Sequence, residues 1–300
     1  MVERLGVAQQ KGSIKPTYEH YQVQSNPQGD SLTTLISWVS VDQRGPAALY
    51  LASDSRITWG SQSRRWDAGR KLFACGRHPD VFGYVGEVIF PSLVLGQVIE
   101  AADRGLIFAD ELGDPDDRHS KFVNIIKKSF CRRHNSPNYD FQILHGSRSS
   151  PGLNCRFHIW LLSYSAHKEL WRDEKINVST VHSSLVLALG SGAQSAHFYD
   201  RHWKETGQGR TSRAVFWAFC ETLRSGRDPL SGGPPQLVSL YRQAVPHTFG
   251  VVYEKKRYFH GLPLNEGIAY GAIEWRDELF QRVDGETMTL LAGAQRHARS

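Results

Sequence analysis

The apolar positions in the first third of the chain predict an antiparallel strand pair that leads into a helix. Two apolar runs, at residues 34–41 and 47–52, are separated by a short segment with glycine and proline, which is typical of a hairpin connection. Two shorter apolar segments, at residues 72–74 and 81–85, predict further strands. Over residues 90–102 the apolar positions recur at helical spacing, which predicts a helix with one buried face.

The rest of the chain continues this alternation of strands and helices. In a predicted helix at residues 121–133, basic residues fall largely on the side opposite the apolar ones. Further strands are predicted at residues 141–144, 156–164, 185–189, 236–241, 249–253 and 256–260, and further helices at residues 193–206 and 212–223. Elements in this order predict an α+β fold with layers of sheet and helix in one domain.

The two ends of the chain differ from its middle. Residues 1–32 are polar, contain glycine and proline and have no sustained period, so we predict an extension that precedes the folded domain. The domain itself is predicted over residues 33–262. Residues 263–300 are weakly periodic, and we predict that they form a C-terminal appendage.

Composition narrows the classes of function. The chain has 300 residues, of which 40% are hydrophobic, so it can fill a sizeable core. Its formal charge of +6 is mild and no nucleic-acid-binding motif accompanies it, so nucleic acid is not an expected partner. The four cysteines include no Cys-x-x-Cys pair, which argues against a disulfide framework or a zinc knuckle and fits a reducing cytoplasm.

Membrane, secretory and metal-dependent classes are also disfavoured. No apolar run reaches the roughly 18 residues of a membrane span, and the first residues lack the apolar segment that a secretory signal needs. The histidines show no metal-ligand spacing, so we predict no metal and no cofactor. We therefore expect a cytoplasmic protein without a membrane partner.

Candidate chemistry stands at the ends of the predicted strands. Thr33 directly precedes the first strand, Asp54 follows the second, and Lys71 precedes another short strand. Each residue alone is ordinary, because threonine is common in strands and charged side chains are commonly solvated at strand ends. A hydroxyl, a carboxylate and an amine thus stand in this order at the ends of predicted strands.

The order of short segments resembles the proteasome β-subunit family, with its bacterial ring-protease relatives, from residue 33 to about residue 233. The matching segments are TTLIS at Thr33, ASDSR at Asp54, GRKLF at Lys71, FGYVG at Gly83, LGSG at Ser191 and RDPLSGG at Asp228. Each pattern is only moderately specific, but all six occur in the family's order and at nearly its spacing. The resemblance implies the four-layer αββα fold of the N-terminal nucleophile hydrolases.

The resemblance also implies a role for three of these residues. The hydroxyl of Thr33 would be the nucleophile, with Lys71 beside it and Asp54 as the counter-ion of the lysine. A threonine hydroxyl needs an adjacent base at neutral pH, and a free α-amine, with an ordinary pKa of about 7.7 to 8.0, can serve as that base. The charged lysine would lower the cost of ionising the hydroxyl and help hold the amine neutral.

Four further residues take supporting roles by the same correspondence. Gly83 would offer its backbone N–H to an oxyanion, a contribution that is worth on the order of 2.7 to 4 kcal/mol in other enzymes. Asp228 and Ser231 would brace the terminal amine and the base, and Ser191 would complete their hydrogen-bonded group.

A free amine at Thr33 requires that the chain cut itself between Leu32 and Thr33, so residues 1–32 are expected to be a propeptide. The family usually has glycine directly before the nucleophile, whereas this chain has leucine, whose side chain must fit a tight turn. The pocket for the side chain before the cut bond would be lined by Ile57, Gly69, Val81 and Val85. An uncharged apolar pocket favours apolar residues, because burying an unpaired charge there is costly.

The expected partner is a peptide or unfolded protein substrate, cleaved by a threonine-type endopeptidase. The resemblance further implies a homo-oligomeric ring and allows an ATPase partner. Two alternatives stay open at this stage. The chain could be a proteasome-like scaffold or regulatory subunit that never cuts itself, which Leu32 favours, or an amidohydrolase of the same fold acting on a small molecule. A third possibility, that Ile57, Gly69, Val81 and Val85 are simply core positions, applies to the pocket alone.

Overall fold

A computed structural model of the chain describes residues 33–59, 61–108, 113–243, 245–265 and 270–294. The predicted extension at residues 1–32, including Leu32, lies outside this part. The described residues form a mixed α+β structure of antiparallel sheets and four helices, which confirms the predicted fold class at that level. No helix within the described ranges is long and apolar enough to cross a bilayer.

The elements follow in chain order. The strands are β1 Leu35–Asp42, β2 Gly45–Ser53, β3 Ile57–Trp59, β4 Ser61–Trp66, β5 Leu72–Ala74, β6 Asp80–Gly86, β7 Phe141–Arg148, β8 Phe157–Ser165, β9 Leu170–Ile176, β10 Ser184–Leu189, β11 Gln236–Tyr241, β12 His247–Thr248, β13 Gly250–Tyr253, β14 Lys256–Phe259, β15 Leu262–Pro263, β16 Trp275–Asp277 and β17 Arg282–Val283. The helices are α1 Ile89–Asp103, α2 Pro115–Phe130, α3 Ala193–Lys204 and α4 Ser212–Ser225.

Two five-stranded sheets carry the core of the fold. The first has the strand order β10-β1-β2-β11-β12, and the second has the order β5-β6-β7-β8-β9. In the first sheet Leu35 of β1 lies opposite Ser53 of β2, and Ser53 lies opposite Gln236 of β11. This register brings the start of β1, the end of β2 and the start of β11 to one edge of the structure.

The two sheets pack face to face through an apolar layer. Leu35 and Leu49 of the first sheet share this layer with Leu72, Val81 and Leu144 of the second. Because successive side chains on a strand point to opposite faces, the residues between these positions point outward. Each sheet therefore has a second apolar face that another layer must cover.

Helices cover both outer faces. Phe82 and Tyr84 of β6 pack with residues of α1 and α2, among them Phe122. On the other sheet, Trp38 of β1 packs with residues of α3 and α4, among them Phe216. The alternation along β1 and β6 thus divides their apolar side chains between the layer shared by the two sheets and the layers shared with helices.

Helix α2 begins six residues before the predicted helix at 121–133 and ends before its predicted end. The Asp114 side chain accepts a hydrogen bond from the Asp116 N–H at 2.9 Å, and proline occupies the first turn. Both features favour a helix start. The charged segment before residue 121 is therefore the first turn of the helix, where acidic side chains are favourable, and not a loop.

The chain after residue 262 joins a third sheet with the order β15-β14-β13-β16-β17. Strand β16 pairs in parallel with β13, and Trp275 of β16 lies against Gly250 of β13. The predicted boundary between the domain and an appendage at residues 263–300 thus falls inside a sheet. The apolar pattern did not predict strands β3, β4, β9, β12, β15, β16 and β17.

Candidate active site

Three buried side chains meet where the two large sheets face each other. The Lys71 Nζ donates to Thr33 Oγ1 at 2.9 Å and to Asp54 Oδ1 at 2.7 Å. All three residues are fully buried. The arrangement joins a hydroxyl, an ammonium and a carboxylate in one chain of contacts.

Strand register explains why Thr33 and Asp54 are close. Leu35 pairs with Ser53, so the residue before β1 and the residue after β2 lie opposite each other. The Asp54 N–H donates to the Thr34 carbonyl at 3.1 Å, and the Thr34 N–H donates to Asp54 Oδ1 at 3.0 Å. Lys71 reaches them from the other sheet, because it directly precedes β5.

The carboxylate of Asp54 is held on both oxygens. Its Oδ2 accepts from the backbone N–H of Gly232 at 2.9 Å and of Arg56 at 3.2 Å. Burial raises the pKa of Asp54 above its ordinary value, against the opposing effects of Lys71 and these N–H donors. Burial likewise lowers the pKa of Lys71, against the opposing charge of Asp54. The amine is therefore easier to deprotonate than an exposed lysine.

A second polar group adjoins the first through Thr34. The Thr34 hydroxyl donates to Ser231 Oγ at 2.6 Å, and Ser231 Oγ donates to Asp228 Oδ2 at 2.6 Å. Ser191 Oγ donates to the same carboxylate oxygen at 2.7 Å. Of the three predicted supporting residues, Ser231 and Ser191 thus both bind the carboxylate of Asp228, and Thr34 connects this group to Asp54.

The loop that carries Ser191 approaches Thr33 closely. Gly190 has φ +85°, and a Cβ on it would lie 1.9 Å from the carbonyl oxygen of Thr33. A Cβ on Gly192 would lie 1.8 Å from Thr34 Oγ1. Both positions therefore require glycine, since any side chain would displace the threonine pair.

Gly83 does not fit the predicted oxyanion role. It lies in the middle of β6, opposite Leu72 of β5 and Leu144 of β7. In the same β6–β7 register the Glu87 N–H donates to the Asp140 carbonyl, and hydrogen-bonded pairs alternate along antiparallel strands. This alternation directs the Gly83 N–H to Leu144 within the sheet, so that N–H is not available to a substrate.

Gly86 is the second glycine of the segment FGYVG, and the sequence analysis gave it no role. It ends β6, has φ +92°, and precedes helix α1. It falls between the hydrogen-bonded positions of the β6–β7 ladder, so its N–H points away from β7, toward the side on which Lys71 leads into β5. The signal was available in the segment FGYVG, but choosing between its two glycines requires the strand pairing.

The four predicted pocket residues are not brought together. A Cβ on Gly69 would lie 2.2 Å from Ile57 Cδ1, so these two residues are neighbours. Val81 and Val85 instead belong to the apolar layer between the sheets, in a cluster that does not include Ile57. Every second residue of β6, including Val81 and Val85, points toward the other large sheet, so these two side chains face the core.

Arg56 is a further residue of the site for which the sequence suggested no role. Its guanidinium makes a two-pronged ion pair with Asp67, with contacts of 2.7 and 3.0 Å. It also donates to the carbonyls of Pro229 and Ser231. Arg56 therefore ties the loop that carries Ser231 to the segment around Asp67, and its hydrogen bond lowers the pKa of that carboxyl.

Comparison with known proteins gives a likeness to solved structures alone. No protein-family model matches the chain, and no curated protein matches it. Among solved structures, the chain is similar to one described as Thiobacillus denitrificans BPH in complex with epoxomicin, at 15% sequence identity and a TM-score of 0.41. That match covers 71% of this chain and 100% of the other. At this distance the likeness assigns neither a reaction nor a residue.

Proposed function

We propose that the chain is a threonine-type endopeptidase of the proteasome type, which cuts itself between Leu32 and Thr33 and then uses Thr33 as its nucleophile. The observation that carries the proposal is the 2.9 Å contact between Lys71 Nζ and Thr33 Oγ1, backed by the buried pair of Lys71 and Asp54 at 2.7 Å. A threonine with a purely structural role at the start of a strand would not need the charged side chains of Lys71 and Asp54 beside it. The fold we propose is correspondingly the four-layer αββα sandwich of the N-terminal nucleophile hydrolases, which the succession of helices and sheets supports.

Self-cleavage would begin with attack of Thr33 Oγ1 on the carbonyl carbon of Leu32. The hydroxyl proton leaves to a base, for which the lowered pKa of Lys71 is favourable. The bond between the Leu32 carbon and the Thr33 nitrogen then breaks as that nitrogen takes up a proton, leaving an ester on Thr33. Water hydrolyses this ester, which frees both the hydroxyl and the α-amine of Thr33.

Cleavage of other peptides would follow the same chemistry with the new amine. A free α-amine has an ordinary pKa of about 7.7 to 8.0, so its neutral form can take the hydroxyl proton near neutral pH. The ammonium of Lys71 stabilises the developing negative charge on Thr33 Oγ1 across 2.9 Å. Asp228, Ser231 and Thr34 form the hydrogen-bonded group that holds the surrounding backbone.

The oxyanion would be stabilised by the N–H of Gly86. That N–H lies at the junction of β6 and α1, and the first turn of a helix adds a favourable dipole for negative charge. Removal of one oxyanion donor in other enzymes costs on the order of 2.7 to 4 kcal/mol in the transition state. The peptide orientation at Gly86 is therefore a requirement of the reaction as proposed.

The substrate would be a peptide cut after an apolar residue. Ile57, buried beside Gly69, presents an apolar wall without a charge in the position that the family resemblance assigns to this pocket. An arginine or glutamate side chain against this wall would lose its hydration without gaining a partner. The preference rests on Ile57 and Gly69, since Val81 and Val85 are core residues.

Reporter peptides test the proposed function. Purified protein is incubated with peptides that end in a leucine, arginine or glutamate reporter amide, alongside Thr33→Ala and Thr33→Ser. We expect release from the leucine peptide by the wild type, a slower reaction with serine, and none with alanine. Faster release from the arginine peptide would overturn the apolar preference, and equal release by Thr33→Ala would overturn the peptidase itself.

A further inference from the structure

A buried amide stands in the apolar layer beside the candidate site. Gln236 begins β11, lies opposite Ser53, and is 1% exposed. Val238 and Leu240, the next residues on the same face of β11, belong to the apolar cluster between the sheets. A polar side chain at the head of such a row is costly to bury unless its hydrogen bonds are satisfied.

The amide of Gln236 is fully engaged with the backbone around the site. Its Oε1 accepts from the N–H groups of Lys71 at 3.0 Å and Leu72 at 3.4 Å. Its Nε2 donates to the Gly69 carbonyl at 2.7 Å and the Asp54 carbonyl at 3.2 Å. A fifth contact, from Nε2 to Ser55 Oγ at 2.9 Å, completes the set.

These partners fix the orientation of the amide. One end faces two N–H donors and the other faces two carbonyls, so exchanging the oxygen and nitrogen would mismatch these four contacts. The same side chain thereby holds the backbone of Lys71 and the backbone of Asp54, which lie 165 and 182 positions away in sequence. These two residues form the ion pair that contacts Thr33.

We infer that Gln236 is a positioning residue, which sets the spacing of Lys71 and Asp54 at Thr33 by holding their backbones on one rigid amide. The inference rests on the proposed function of that site. Displacement of a catalytic group by about 1 Å can lower a rate by about 100-fold. Gln236 touches none of the reacting atoms, so its effect would appear in kcat and not in substrate binding.

Two substitutions separate positioning from simple stability. Gln236→Met keeps the length of the side chain and removes all five contacts. Gln236→Glu keeps the acceptor for Lys71 N–H, but offers a donor toward Gly69 only when its carboxyl is protonated. Leu240→Ala is the matched control, because Leu240 is buried in the same apolar layer on the same face of β11, but lies opposite Leu49, four residues along the strand from Gln236. Urea unfolding midpoints are measured for all variants.

The readouts are kcat and KM for the leucine reporter peptide at pH 6 to 8.5, normalised to the number of chains that begin at Thr33 by intact mass. We expect Gln236→Met to lose at least about 100-fold in kcat, with KM within about threefold of wild type. A folded Gln236→Met chain that never cuts itself counts as the same loss. The rate of Gln236→Glu relative to wild type should rise as pH falls, whereas Leu240→Ala should keep kcat within about threefold.

Three results would overturn the inference, and they can be told apart. An active wild type with an unchanged kcat in Gln236→Met removes the positioning role and leaves the proposed function intact. If Leu240→Ala and Gln236→Met have the same unfolding midpoint and lose the same factor in kcat, the positioning role is also removed and the proposed function stays intact. A wild type that cleaves neither itself nor the peptide removes the proposed function, and the inference falls with it.

Discussion

Replacing Asp54 with asparagine leaves the Lys71 amine buried without its counter-ion. In the folded protein both side chains are fully buried and 2.7 Å apart, so water cannot replace the lost charge. Loss of one partner of a buried ion pair typically costs 3 to 5 kcal/mol, roughly, in the free energy of unfolding. The lysine has one alternative, which is to lose its proton.

The cost of deprotonating Lys71 sets the size of the loss in the free energy of unfolding. An unperturbed lysine has a pKa of about 10.4, and each pH unit corresponds to about 1.36 kcal/mol, so holding the amine neutral costs about 4.6 kcal/mol at pH 7. At pH 9 the same cost is about 1.9 kcal/mol. Burial already lowers the pKa of Lys71 with Asp54 present, and it lowers it further once that charge is gone.

The sign follows from proton binding in the two states. In the variant the folded lysine is neutral while the unfolded lysine is charged, so the unfolded state binds more protons and stability rises with pH. The stability deficit caused by Asp54→Asn should therefore shrink by about 2.7 kcal/mol between pH 7 and pH 9. Asparagine cannot make all the hydrogen bonds of the Asp54 carboxylate, and the stability lost in this way adds to the deficit an amount that does not change with pH.

Urea unfolding at pH 7 and pH 9 measures this deficit. All proteins carry Thr33→Ala, so that every chain has the same covalent length. The matched control adds Lys71→Met to Asp54→Asn, which removes the buried amine, and its deficit should be the same at both pH values. A deficit in Asp54→Asn that stays constant or grows with pH would refute the reasoning, since the amine would then not be a buried and unpaired base.

Three further predictions concern Gly86, Gly190 and His145. Gly86→Ala adds a Cβ 2.5 Å from the Asp140 carbonyl oxygen at φ +92°, and should lower peptide cleavage by about 100-fold or more, read as kcat. Gly190→Ala adds a Cβ 1.9 Å from the Thr33 carbonyl oxygen, and should prevent self-cleavage, read as the intact mass. Burial lowers the pKa of His145 to about 4, against the hydrogen bond that its Nε2 donates to Asp80, so an NMR titration of its ring should find it neutral at pH 5.5. Because the unfolded histidine titrates near 6.5, this group should remove up to about 3 kcal/mol of stability as pH falls from 6.5 to 4.

One control variant serves the two glycine predictions, and each prediction has an outcome that contradicts it. Gly96→Ala serves both glycine variants, because a Cβ there meets nothing within 4 Å and alanine favours the interior of helix α1. Activity in Gly86→Ala equal to that of Gly96→Ala contradicts the oxyanion role. A chain that begins at Thr33 in Gly190→Ala contradicts the close approach of that loop. For His145, a midpoint near 6.5 would show that its ring is not enclosed by Asp80, Arg118 and His119.

The sequence predicted the parts of the site that local patterns define. A hydroxyl before one apolar strand and a carboxylate after the next must lie near each other when the two strands form a hairpin, and Thr33 and Asp54 do so. The three residues Asp228, Ser231 and Ser191 were predicted only through the family resemblance of the segments LGSG and RDPLSGG. Helix α1 and strand β11 were also predicted closely, because their apolar periods are strong.

The parts that depend on pairing between distant strands were not accessible. Whether the N–H of Gly83 or of Gly86 is free depends on the hydrogen-bond alternation of β6 with β7, which no local pattern reveals. Gln236 is the first residue on the inward face of β11, where the following residues are apolar. The apolar pattern of this strand therefore gives no sign of the five hydrogen-bond contacts that Gln236 makes to residues far away in sequence. Strand β4 was missed because SQSRRW is too polar to suggest a strand by composition.

The intact mass and N-terminal sequence of the purified protein test the central claim most directly. Wild type, Thr33→Ala and Lys71→Met are expressed and handled identically as the full chain of 300 residues. We predict that the wild type begins at Thr33, and that both variants keep residues 1–32 while unfolding cooperatively. A wild type of the same length as Thr33→Ala would contradict self-cleavage, and with it the assignment of Thr33 as an N-terminal nucleophile.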